Sequence, residues 1–182
     1  MHLYILPLRF SDKNLLIDVS SALNDIFGLP VIILQNPFSL DEGRDVLRNQ
    51  VNSTWILSQL LKSAPTDPHK ILGITELDLH IPVLTYVFGE AQLEGEAAVI
   101  SSYRLRDELY GLPKNQEKLK DRLRKEAIHE LGHTFGLIHC RNILCVMHPS
   151  TYAEEIDFKS MNFCKSCASI LESKKKGSIT KP

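Results

Sequence analysis

One stretch constrains this chain more than any other: His129-Glu130-Leu131-Gly132-His133-Thr134-Phe135-Gly136-Leu137-Ile138-His139-Cys140. On a helix, positions i and i+4 share a face about one turn apart, so His129 and His133 can present two imidazoles to one ion. Glu130 sits beside them, within reach of a metal-bound water without ligating the metal. Gly136 can take a left-handed conformation, end the helix and turn the chain back. His139 then swings round as a third nitrogen ligand. Three protein ligands leave one position of a tetrahedral zinc open for water, which is the catalytic arrangement. A fold for this sequence must therefore supply a helix that ends in a sharp turn beside a cleft.

The pattern upstream fits such a fold. Residues 3–8 are strongly apolar and read as a buried first strand. Leu15, Leu16, Val19, Leu23 and Ile26 recur at helical spacing over residues 11–27, and Gly28-Leu29-Pro30 ends that helix. Val31-Ile32-Ile33-Leu34 reads as a second buried strand. Residues 51–63 form a second helix, and Ile71, Leu72 and Ile74 mark a third strand over residues 70–75. The order βαβαβ implies a largely parallel sheet covered by helices. Residues 82–88 and 97–103 are two further strand-like runs with no helix between them, so one is expected to lie antiparallel at a sheet edge. Its unpaired backbone groups would suit an extended peptide. A long helix over residues 115–137 carries the apolar stripe Leu119, Leu123, Ala127, Leu131 and Phe135. Its early charges, from Glu117 to Glu126, read as a solvated face. A short helix is expected over residues 164–173, followed by a flexible basic tail, 174–182.

The four cysteines, Cys140, Cys145, Cys164 and Cys167, form two close pairs confined to this last quarter of the chain. A disulfide framework would spread them more widely, so they point to a metal. Four thiolates close a tetrahedral site with no open position, which makes a second, structural zinc. Four buried thiols or an iron–sulfur cluster are the alternatives. Cys140 directly follows His139, so the two sites would be mechanically coupled.

The formal charge is −1, which gives no general attraction to nucleic acid or to anionic membranes. No apolar run is long enough to span a bilayer, and the apolar N-terminal residues lack a basic flank and a small-residue cleavage site. We expect a cytoplasmic monomer. A zinc at the histidines would polarise its water, Glu130 would take the proton, and a carbonyl would be attacked without a covalent intermediate. The histidines must be neutral to bind, so activity should fall in acid.

The extended pattern H-E-x-x-H-x-x-G-x-x-H resembles the metzincin metallopeptidases. The continuation C-x4-C-x-M, with C-x-x-C later, is similar to the archaemetzincins within that clan. The resemblance implies a catalytic zinc on His129, His133 and His139, with Glu130 as general base. It implies a second zinc on Cys140, Cys145, Cys164 and Cys167, and places Met147 in a methionine turn beneath the metal. Some metzincins carry a tyrosine two residues after that methionine. Here the position is Pro149, and the role is not carried over to Tyr152.

The fold class expected is α/β, in the α+β manner of metzincins: a mixed, mostly parallel sheet, an antiparallel edge strand and a long active-site helix. A catalytic part over residues 1–137 would precede a small zinc-bound part over residues 138–173. The function expected is zinc-dependent hydrolysis of peptides lying extended along residues 83–95. Endopeptidase and aminopeptidase action are not separated by the sequence. The latter needs an acid to hold a free amine, and Glu90, Glu94 and Glu96 are at hand. The alternatives are a catalytically silent zinc-binding module on the same scaffold, against which the intact Glu130 counts, and a nucleic-acid-binding zinc ribbon, against which the balanced charge counts. His148 reads as a surface or supporting residue, and His2, His69 and His80 show no ligand spacing.

Overall fold

The computed structural model describes residues 1–67 and 69–179, with side chains through residue 175. The chain runs β1 (His2–Leu8), α1 (Lys13–Phe27), β2 (Val31–Ile33), β3 (Arg44–Asp45), β4 (Gln50–Asn52), α2 (Ser53–Ser63), β5 (His69–Thr75), β6 (Leu79–His80), β7 (Gly89–Ala91), β8 (Ala97–Ser101), α3 (Gln116–Thr134), α4 (Ala153–Phe158) and α5 (Lys165–Ile179). Polar side chains start the three main helices. Asp12 accepts from the backbone N–H groups of Asn14 and Leu15, Asn52 from that of Trp55, and Asn115 from that of Lys118. Each satisfies donors that the first helical turn leaves open.

The main sheet has the order β2-β1-β5-β8-β7. Its first four strands are parallel, and β7 runs antiparallel to β8 at the edge. Strand alternation sorts the core onto two faces. Leu3, Ile5, Leu72, Ile74, Ala98 and Ile100 pack against α1 and α3, while Tyr4, Leu6, Leu8, Ile71, Ala97 and Val99 pack against α2. The chain after α3 adds Val146, Met147, Ile156 and Leu171 to the α1/α3 layer.

Several expectations change. The antiparallel edge strand is Gly89–Ala91, not residues 82–88. Those residues make a turn closed by the Leu84 N–H on the Ile81 carbonyl, with Val87 bridging to Leu79. Pro82 has no N–H to give a ladder, and Val83 and Leu84 face solvent. β2 is the opposite edge rather than a buried strand, so Ile32 and Ile33 are exposed. A small second sheet, β3-β4-β6, has too few residues per strand to leave a period. α5 runs on to Ile179, past the boundary expected at Ser173. Residues 180–182 of the tail lie outside the described residues.

The charged early face of α3 is not all solvated. Arg122, Lys125 and Glu126 are buried. Arg122 donates to both carboxylate oxygens of Asp157 at 2.6 and 2.7 Å, to Asp107 at 2.8 Å and to the Leu105 carbonyl at 2.8 Å. Lys125 reaches Asp121 at 2.6 Å and the Ile156 carbonyl at 3.1 Å. These cations hold α4 and the segment after β8 onto α3. Breaking a buried ion group by removing one partner costs about 3–5 kcal/mol. Arg122→Ala should therefore lower the melting temperature by roughly 10 °C in scanning calorimetry. A shift of about 2 °C or less would show that Arg122 does not hold α4 in place.

Candidate active site and metal centres

α3 ends in a paired-bond cap. The Gly136 N–H donates to the His133 carbonyl at 2.8 Å, and the Leu137 N–H donates to the Gly132 carbonyl at 3.1 Å. This closure requires a left-handed residue at its centre, and Gly136 has φ +86°. The chain reverses there and returns His139 toward the helix. The three imidazoles then face one another, with ring centroids 4.7, 5.4 and 5.0 Å apart.

The hydrogen bonds around these rings test whether they fit a metal. The Nδ1 atom of His129 lies 2.8 Å from the Val146 carbonyl oxygen, and that of His133 lies 2.7 Å from the Leu137 carbonyl oxygen. A carbonyl only accepts, so each Nδ1 carries the proton and each neutral ring keeps its Nε2 lone pair free. Those two Nε2 atoms are 3.1 Å apart. Two lone pairs at that distance repel unless a cation lies between them. The zinc–nitrogen distance of about 2.0–2.1 Å would set tetrahedral nitrogens about 3.3 Å apart, so the residues fit zinc. Ligand atoms of His129, His133 and His139 all lie within 4.8 Å of one another. In the metal-free chain burial holds the His129 imidazole well below its usual pKa, with Lys159 adding to the effect, and burial lowers His133 and His139 too. All three are therefore in the ligating form at neutral pH.

Glu130 is buried at the same place and packs on the edge strand. A Cβ on Gly89 would lie 2.7 Å from both Glu130 Cγ and the Val99 carbonyl oxygen, so only glycine lets the two elements approach this closely. A cleft of about 440 Å³ opens on one side, between residues 84–89 and residues 149–152. A second hollow of about 380 Å³ opens on the other, past Ala91, Leu93 and Ile138. Gly89, Glu130 and His139 line both. Burial pushes the Glu130 carboxyl well above its usual pKa, and the neighbouring Glu126 and Glu90 push the same way against Lys159.

The four cysteines also come together, all sulfurs within 4.8 Å. Cys140 Sγ and Cys164 Sγ are 3.8 Å apart, the spacing that zinc–sulfur bonds of about 2.3 Å give at tetrahedral angles. The Cys164 N–H donates to Cys145 Sγ at 3.3 Å, and the Asn142 N–H donates to Cys140 Sγ at 3.4 Å. Backbone hydrogen bonding at Cys167 lowers the Cys164 thiol to about 7, while burial raises Cys145 and Cys167. Four sulfurs crowded this closely fit a cation that takes all four as thiolates. Met147 is fully buried against α3 at Gly132. A Cβ on Gly132 would come within 2.5 Å of its sulfur, so Gly132 makes room for it.

The other residues singled out fall differently. Glu90 is held by Ser53 at 2.5 Å and Thr54 at 2.9 Å, Glu94 pairs with Lys174, and Glu96 lies 3.9 Å from His69. None of the three lines either side of the cleft. Tyr152 does, largely exposed. His148 supports the turn, its Nδ1 on the Cys140 carbonyl at 2.9 Å. His2 pairs with Asp67, and His69 and His80 are buried. Sequence reasoning missed Glu126, Ser150 and Lys159 in the cleft lining. The spacing Glu126, Glu130, His133 did place that acid on the ligand face of α3; Lys159 and Ser150 left no such signal.

The sequence model of peptidase family M54 matches residues 55–173. The chain is 41% identical over 172 residues to the archaemetzincin of Methanocaldococcus jannaschii, covering 94% of this chain and 93% of that one. It superposes on the crystal structure of the archaemetzincin from Methanopyrus kandleri with TM-score 0.84 and 30% identity, over 97% of this chain and 96% of that one. A zinc-dependent peptidase from Methanocorpusculum labreanum gives TM-score 0.83 and 32% identity, over 93% and 99% of the two chains.

The Glu130 environment predicts a pH signature in the metal-free protein. A carboxyl whose folded pKa is raised contributes its stability below the unfolded value and loses it as pH rises through the folded value. Glu130→Gln removes that loss. The melting temperature of the metal-free variant relative to wild type should therefore climb between about pH 4 and neutrality. A difference that stays constant across this range would show that Glu130 is not desolvated.

Proposed function

Since the chain belongs to peptidase family M54, the archaemetzincins, and is a zinc metallopeptidase, we propose that it hydrolyses peptide bonds at His129, His133 and His139, with Glu130 as general base. The observation that carries this reading is the pair of opposed Nε2 lone pairs at 3.1 Å with Glu130 beside them in an open cleft. Zinc held there supplies a Lewis acid that acidifies water and polarises a carbonyl. Glu130 takes the proton from the attacking water and returns it to the leaving amine. Its place beside His129 and His133 on the cleft lining lets one carboxylate serve both halves of that transfer. The Val146 and Leu137 carbonyls keep two of the rings in the ligating tautomer.

The substrate lies extended along β7. The Phe88 carbonyl and the Gln92 N–H are used by β8, so the alternate residues Gly89 and Ala91 turn their backbone groups to the open edge. Both line the hollows beside Glu130. The groove continues to either side of the histidines, which favours cleavage within a chain over trimming from its end. A second zinc on Cys140, Cys145, Cys164 and Cys167 is structural and holds the turn that carries His139.

Metal analysis of purified protein should give two zincs per chain. His139→Ala should lose one and Cys145→Ser the other. Glu130→Ala should keep both and lose peptide hydrolysis by at least about 100-fold. Hydrolysis that survives Glu130→Ala would remove it as the base. A zinc-loaded wild type that cleaves nothing in a broad peptide library would return the silent scaffold.

A further inference from the structure

The deeper side of the cleft holds polar groups that the hydrolytic chemistry does not use. Glu126 lies one turn before Glu130, is 4% exposed, and its Oε1 has no hydrogen-bond partner. Lys159 Nζ forms an ion pair with that oxygen at 3.6 Å, too long for a hydrogen bond, and donates to the His148 carbonyl at 2.7 Å. Ser150 Oγ, on the facing segment, is also buried and without a partner. Both orphan atoms belong to residues lining the same cleft, beside the wall formed by Leu84, Val87 and Phe88. Buried polar atoms are seldom left unpaired, because each costs the hydrogen bond it had in water. Two of them in one substrate-sized cleft point to a ligand that completes them.

We propose that Glu126 and Ser150 form the floor of a specificity subsite that takes a cationic nitrogen group of the peptide substrate, an arginine or lysine side chain above all. The Glu126 oxygen only accepts, so its complement must donate. Ser150 can accept from the same group. The apolar wall fits the methylene stem of a long basic side chain. Lys159 pairs with Glu126 but spends its hydrogen bond on the His148 carbonyl, so the Glu126 oxygen keeps its acceptor capacity for a second cation. A free amino terminus offers the same N–H chemistry without the stem. This inference rests on the peptidase reading for its occupant but not for its geometry.

The test uses one peptide series, N-acetylated and free, that carries arginine, lysine, glutamine, leucine or glutamate at a single position scanned across the sequence. Binding to zinc-loaded Glu130→Ala protein is read by fluorescence anisotropy, and cleavage by the wild type is followed in parallel. At one position arginine and lysine should bind at least about tenfold more tightly than leucine or glutamate. Glu126→Gln should collapse that ratio, and Ser150→Ala, which removes only a hydroxyl, should reduce it. Circular dichroism identifies a Glu126 variant that fails to fold, and the Ser150 variant then decides. A preference lost on removing the acetyl block assigns the subsite to the side chain displaced by the free terminus; one that appears only then assigns it to the amino terminus. A flat series, a preference for glutamate, equal binding of glutamine, or a basic preference that survives both substitutions would overturn the proposal. A basic preference in binding with no cleavage by wild type would leave the subsite standing and sink the peptidase mechanism.

Discussion

The hydrogen bond from His129 Nδ1 to the Val146 carbonyl ties the ligand face of α3 to the returning chain. It crosses from the active-site helix to the returning chain and fixes both at once. On the helix side it sets the tautomer and the ring plane, leaving Nε2 to face that of His133. On the other side it pins the residue before Met147. The methionine then fits where Gly132 has no side chain, and the Cys140 N–H closes onto the Met147 carbonyl at 2.9 Å. Loss of this bond would free the ring and leave the Val146 carbonyl without its imidazole donor. The ligand geometry and the buried packing beneath it are therefore one construction.

A second constraint is the charge buried on α3. Its mean composition is that of a surface helix, yet Arg122, Lys125 and Glu126 are almost fully enclosed. Each cation is answered from α4 or from the segment after β8: Asp157 and Asp107 for Arg122, the Ile156 carbonyl for Lys125. α4 has six residues, too few for a helix to persist alone. It is held by these charge-assisted bonds and by Ile156 in the core. Lys159, immediately after α4, then delivers its ammonium into the cleft through the His148 carbonyl. The polar networks that look like a cost to folding are what bring the last third of the chain to the site.

The parts legible in the sequence are those with a strong local signal. The histidine and cysteine spacings located both clusters residue by residue, because metal ligation demands particular side chains at particular intervals. The first three main-sheet strands and first two helices followed from apolar runs bounded by Gly and Pro. The edge strand was misplaced because Gly89-Glu90-Ala91 has no strand propensity of its own. It is a strand because Glu130 must pack against a residue without a side chain and because β8 offers a partner. Residues 82–88, with far higher propensity, make a turn and a single bridge, Val87 to Leu79, rather than a ladder. Glu126 was misread for the same reason: a charge looks solvated until the chain that covers it is known.

The junction at Cys140 shows how the two clusters depend on each other. His139 is the most exposed of the three histidines, and little packs against its ring beyond the other two. Its position has to come from the backbone. The next residue supplies that. The Cys140 N–H is bound by Met147, its carbonyl by His148, and its sulfur sits in the cysteine cluster. With every polar group of Cys140 engaged, the preceding residue keeps little conformational freedom, and ordering a free residue costs about 1–2 kcal/mol of backbone entropy. That cost is met when the sulfurs assemble rather than when the three imidazoles come together. The cysteine cluster thus positions His139 in a site to which it contributes no atom, and one peptide bond carries the connection.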